Sequence, residues 1–290
     1  MTRSRRTAGV LVASAVALGI GGAGTAAGAG QRQSGVNVFT TTKPGAATGI
    51  RFHINFRNPE NPAQKPHTVN RLVVRYPAGT LYDFSVVPQC HASDAQLQVQ
   101  GSSACPAASK IGAGLAVSDT GSSGPFPPRY TESTISQFNG DNELIGVGEN
   151  KDIPAIKTVT HTKFSGTTAS TDFPTFPGLP PPDQYTPVKS LNVDFAKKVV
   201  NGRATTRTPP TCPAVGYWKI VSEFTYVDDV TQKIVTRSPC KAAPKPPAHR
   251  PPRGHHHRHH RHRCGDRDRD RDDDGDDRDA RCGSTLSVHG

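Results

Sequence analysis

Gly49-Ile50-Arg51-Phe52-His53-Ile54-Asn55-Phe56-Arg57 alternates apolar and polar residues without a break. On an extended chain Ile50, Phe52, Ile54 and Phe56 fall on one side. Arg51, His53, Asn55 and Arg57 fall on the other. Period two with a single apolar face specifies a half-buried strand of an antiparallel sheet. Residues 71–76, 81–87, 156–164 and 191–195 read the same way, with Pro77, Pro88 and Pro187 marking strand ends. Apolar residues at i, i+3, i+4 and i+7 never persist for three turns, so no amphipathic helix is expected. Glycine and proline, 28 and 26 of the 290 residues, break helices and supply turns. The expected fold is all-β, an antiparallel β-sandwich, Ig-like in style.

Two hairpins can be placed. The first runs from Thr131 to Phe138, turns at Asn139-Gly140 and returns from Asp141 to Val147. The second pairs residues 218–226 with 230–236 about Asp228-Asp229, which sets Trp218 opposite Pro239 and brings Cys212 near Cys240. Residues 171–187 are proline-rich and read as a long irregular loop.

The first 29 residues have the form of a secretory signal. Arg3, Arg5 and Arg6 precede a charge-free apolar run, and Ala27-Gly28-Ala29 offers a cleavage site. A body over 30–240 follows, with residues 118–130 read as a joint between two halves and a single body as the alternative. Residues 241–254 form a proline-rich spacer, and 255–290 a low-complexity tail too poor in apolar residues to bury a core. No later apolar run spans a membrane. Of the formal charge of +11, the leader carries three positive charges and the tail from Lys241 a net +3, so the body carries +5. That balance suits anionic components of a cell envelope and falls short of a dedicated nucleic-acid binder. Export is expected, with no nucleic-acid partner.

Six cysteines in an exported chain read as disulfides. Fifteen pairings are open, and locality favours Cys90–Cys105, Cys212–Cys240 and Cys264–Cys282, each contributing about 3 kcal/mol by restricting the unfolded chain.

Val86-Val87-Pro88-Gln89-Cys90 and the run from Cys105-Pro106 to Ile111-Gly112 also carry a resemblance, together with Phe138-Asn139-Gly140 and Trp218…Phe224-Thr225-Tyr226…Ser238-Pro239-Cys240. The region from Val69 to Cys240 resembles a loose set of uncharacterised secreted actinobacterial proteins with a P-x-C…CP-x-x-S-x-(I/V)-G element and a C-terminal cysteine-flanked hairpin. The resemblance implies export, disulfides and β structure, and it implies no activity or catalytic residue.

The chain lacks G-x-S-x-G, H-E-x-x-H, a Walker A loop and a helix-opening G-x-G-x-x-G. Glu143 and Glu149 share one face of a strand about 20 Å apart, too far for the roughly 5 to 9.5 Å of a glycosidase pair. His53, His67, His91 and His161 are scattered and read as surface histidines.

In the tail His255, His256, His257, His259, His260 and His262 crowd six imidazoles into eight residues. Such a run takes Zn²⁺, Ni²⁺ or Cu²⁺ without a preformed pocket. Asp270, Asp272, Asp274 and Gly275 match the first half of an EF-hand loop, but Arg281 stands where the bidentate acid belongs. No catalytic residue is assigned. The expected function is a non-enzymatic structural or ligand-binding module at the cell surface. Metal binding by the tail and hydrolysis of wall polysaccharide are the alternatives.

Overall fold

The structure, a computed structural model, describes residues 30–241. The leader, the spacer from 242 onward, the histidine run and Cys264 and Cys282 lie outside the described residues.

The chain runs through β1 (Gln33–Phe39), β2 (Ile50–Phe56), β3 (Val69–Arg75) and β4 (Leu81–Tyr82). A short helix, α1 (Asp94–Gln100), then precedes β5 (Lys110–Asp119), β6 (Tyr130–Asn139), β7 (Glu143–Asn150), β8 (Lys157–Ser165) and β9 (Thr168–Asp172). The remainder holds β10 (Val188–Phe195), β11 (Val199–Val200), β12 (Arg203–Ala204), β13 (Thr206–Arg207), β14 (Tyr217–Tyr226) and β15 (Thr231–Pro239). Eleven strands form one antiparallel sheet in the order β1-β2-β10-β5-β6-β7-β8-β9-β3-β14-β15. Residues 118–130, read from sequence as a joint, hold the end of β5, the connection 120–129 and the start of β6, and these two strands are neighbours in this sheet.

The sheet wraps until β1 meets β15. An odd number of antiparallel strands leaves the two edges running in the same direction, so this seam is parallel. It is sewn by inward-facing side chains of β15. Ser238 Oγ accepts from Phe39 N–H at 3.0 Å, Thr236 Oγ1 donates to Asn37 O at 2.7 Å, and Gln232 Oε1 accepts from Arg32 N–H at 2.8 Å. Asn37 Nδ2 donates to Ser222 Oγ of β14 at 3.3 Å. Arg32 caps the seam with an ion pair to Asp228 at 2.8 Å and a position 5.0 Å above the Tyr226 ring.

The all-β antiparallel expectation is met, and the facing walls come from one sheet. On one side of the barrel the walls pack as in a sandwich: Phe39 meets Trp218 edge-on at 5.6 Å, and Phe56 meets Phe224 at the same separation. Ile50, Phe52, Ile54 and Phe56 are all buried in this cluster, as the alternation requires. One end of the barrel is plugged by Val86 and Val87 against Ile111 and Leu144.

Four details depart from the sequence reading. First, α1 exists: Ser93 and Gln96 form a reciprocal capping box, which offsets the lack of a three-turn apolar stripe. Second, only Leu81–Tyr82 of the expected strand 81–87 pairs, because the rest leaves the sheet to plug the barrel end. Third, the first hairpin turns at Asp141-Asn142, with Gly140 N–H donating to Glu143 O and Asn142 at φ 57°. Asn139 is instead buried in the last pair of the ladder. Fourth, the second hairpin has a three-residue turn with Asp229 at φ 61°. Trp218 therefore faces Ser238 rather than Pro239.

The seam yields a test. Ser238→Ala strips the Phe39 N–H of its acceptor in a buried setting and should cost about 1–3 kcal/mol. Thr236→Val should cost about 1 kcal/mol. Urea unfolding measures both, and losses near zero would mean that the edges hold without these hydroxyls.

Candidate functional site

Away from the aromatic half, the barrel is hollow. A chamber of about 530 Å³ lies between β5–β8 and the segments that close the mouth. The inward positions there are small: Ala116, Ser118, Ser133, Gly146, Gly148 and Thr158. A Cβ built on Gly146 would collide with Thr160 Oγ1, and one on Gly148 would lie 3.3 Å from Ile135 Cδ1, so these glycines let the wall fold inward while leaving space behind. Phe56, Ile135, Phe173 and Leu191 supply apolar surface. Among the described residues no ionisable side chain lines the chamber. A second cavity of about 90 Å³ adjoins it, and the two share Gln137, Thr160, Phe173 and Leu191. Leu179 and Ile156 line the chamber yet are 52% and 39% exposed, so it reaches the surface at its mouth.

The mouth is roofed by the proline-rich segment 173–187, tied down at an ion pair whose lysine is buried. Lys65, with its side chain 1% exposed, donates to Asp183 O at 3.0 Å and to Tyr185 O, and its ammonium lies 3.5 Å from Asp183 Oδ1. Burial lowers the Lys65 pKa and Asp183 opposes the shift. The Asp183 carboxylate also accepts from Thr68 N–H, Thr68 O–H and Tyr185 N–H. Leu179 N–H donates to Thr120 O and joins the roof to the β5–β6 connection.

The chamber wall is backed from outside. Phe138, Ile145 and Val147 point away from the barrel and pack under Leu97 of α1 and the Cys90–Cys105 disulfide. Asn139 Nδ2 donates to Phe84 O, Val87 O and Pro88 O, and Asn139 O accepts from Cys90 N–H at 2.7 Å. His161 of β8 bridges two carboxylates. Its Nδ1 lies 2.9 Å from Glu143 and its Nε2 2.9 Å from Asp94 at the start of α1. Burial alone would lower the His161 pKa, but the bonds to Asp94 and Glu143 outweigh it and hold it above the usual imidazole value.

Two of the expected disulfides are present, Cys90–Cys105 and Cys212–Cys240. The second lies beside Tyr217↔Pro239 at the open end of the last hairpin. The expected pair Cys264–Cys282 and the metal candidates His255, His256, His257, His259, His260 and His262 lie outside the described residues. Among the described residues no group of three His, Cys, Asp or Glu is placed to hold a metal, and no helix is long and apolar enough to cross a membrane. Glu143 and Glu149 stand opposite Lys163 and Lys157 on the outer face. His161 joins two elements, which its scattered position in the sequence did not reveal.

Two tests follow. A histidine whose folded pKa is raised stabilises fully below its unfolded value of about 6.5 and loses that contribution as pH rises through the folded pKa. Amide exchange in α1 should therefore speed up above neutrality relative to the rest of the sheet, and His161→Gln should abolish the difference. Lys65→Met leaves the half-buried Asp183 without its cation and should cost about 1–3 kcal/mol, with protease cleavage appearing within 173–187. Cleavage unchanged from the parent would separate the ion pair from the roof.

No family model, curated protein or solved structure matches the chain.

Proposed function

We propose that this protein is an exported binding module that holds a small apolar molecule inside its barrel at the cell surface. The observation that carries the reading is the 530 Å³ chamber, uncharged throughout, in a sheet whose other half is filled with aromatic side chains. A cavity of that size accepts a ligand of drug-like dimensions, and a pocket of this lining gains its affinity from apolar burial. Among the described residues the lining presents no carboxylate, imidazole or thiol, which favours holding a ligand over transforming it. Two disulfides and a leader of secretory form support a site of action outside the cytoplasm. The mild positive charge of the body suits residence at an anionic envelope.

The test is direct. N-phenyl-1-naphthylamine should brighten on addition of the protein, with a Kd on the order of micromolar. Ser133→Phe, which fills the chamber from β6, should weaken binding at least tenfold while near-UV circular dichroism is retained. Removal of 242–290 should leave it unchanged. A fluorophore that binds parent and Ser133→Phe equally would place it on the outer surface and end this reading.

A further inference from the structure

The inward column of β6 reads Thr131, Ser133, Ile135 and Gln137, and its last member is out of keeping with its surroundings. Gln137 lines both the large chamber and the smaller cavity, so it stands at the waist between them. Its amide lies over the bare face of Gly146, where a Cβ would come within 3.0 Å of Nε2. Gly112 keeps the other flank open, since a Cβ there would approach Gln137 Cβ at 3.2 Å. The neighbours at the waist are Thr160, Phe173 and Leu191, and the Thr160 hydroxyl is turned to Gly146 O at 3.4 Å. Among the described residues the Gln137 side chain has no hydrogen-bond partner. The residue is half-buried and its amide is open to the chamber, so its donor and acceptor are available to whatever occupies that space. Two glycines clear its flanks and a cavity lies on either side, which leaves the amide free to bond a molecule held in the chamber.

We infer that Gln137 is the specificity-determining residue of the chamber, and that the ligand is an uncharged lipid-like molecule bearing one hydroxyl or carbonyl that reaches this amide. This rests on the binding function proposed above. A primary amide offers both a donor and an acceptor, so it meets an alcohol or a ketone equally well. A carboxylate is disfavoured. Its charge would be buried with no cationic side chain in the lining, a desolvation cost that a neutral amide cannot offset. A plain hydrocarbon is disfavoured too, because it would cover the amide and leave it unpaired.

Competition against N-phenyl-1-naphthylamine with 1-decanol, 2-decanone, decane and decanoate at pH 8 tests the assignment. The parent protein should take the alcohol and the ketone about 3- to 10-fold more tightly than decane, one hydrogen bond's worth, with decanoate weakest. In Gln137→Leu and Gln137→Met that preference should vanish, with decane binding as well as decanol or better. Either variant suffices if the other fails to fold. A parent protein that binds decanoate as tightly as decanol overturns the inference without needing any variant, and so does an unchanged ranking in both variants. A parent that takes none of the four overturns the chamber reading itself, which keeps the two failures apart.

Discussion

Everything in this barrel depends on how an odd sheet closes. Eleven antiparallel strands bring β1 and β15 together in parallel, and hydroxyl and amide side chains join them. These groups work only if Gln232, Thr236 and Ser238 all point inward. A slip of one residue between β14 and β15 would turn every one of them to solvent. The register is set by the three-residue turn, with Asp229 in the left-handed region, and Arg32 clamps the turn to the start of β1 through Asp228. The guanidinium also holds the Asp228 carboxyl below its ordinary range, so the clamp persists into mild acid. Turn, register, seam and enclosed volume thus form one causal sequence.

Closure alone does not make a chamber, because protein interiors normally fill to crystal-like density. Here the two halves of the barrel divide the task. Phe39, Phe56, Trp218 and Phe224 fill one half and supply the apolar burial that stabilises the sheet. In the other half serine, threonine and glycine face inward, and the missing interior packing is replaced from outside. Phe138, Ile145 and Val147 lie on the outer face of the same strands that carry Gln137, Gly146 and Gly148 inward. Period-two geometry lets one strand present an empty face to the chamber and a packed face to α1 and the Cys90–Cys105 loop.

That division explains what the sequence could disclose. β2 was legible because its inner face is all large and apolar against a polar outer face. The seam hairpin was legible as a hairpin, but its register depended on a turn length that composition does not specify. α1 escaped a search for periodicity because it is seven residues long, while its capping box at Ser93 and Gln96 was there to be read. The chamber strands gave the weakest pattern. Thr131-Glu132-Ser133-Thr134 lacks hydropathic contrast between faces, and 156–164 reads as a strand without any sign that its inward residues border a cavity. Inward residues that border a cavity need not be apolar, so the cue that locates a packed core is blunted where the core is hollow. A strand that pairs on both sides yet shows no apolar inner face is itself a cue, but only once the pairing is known.

The outer backing also ties the disulfide to the interior. Cys90 N–H bonds Asn139 O at the end of β6, and the loop that Cys105 closes rests on β7. Any loosening of that loop loosens the wall into which the chamber is cut. A ligand that needs the chamber in its folded shape must in turn stabilise the wall, since a molecule bound only by the native state shifts unfolding by mass action. In the binding function proposed above, bridge and ligand would act on the same two strands from opposite faces, and the stability each confers would depend on the other. On that proposal, surroundings that keep the bridge oxidised would be a condition for binding as well as for folding.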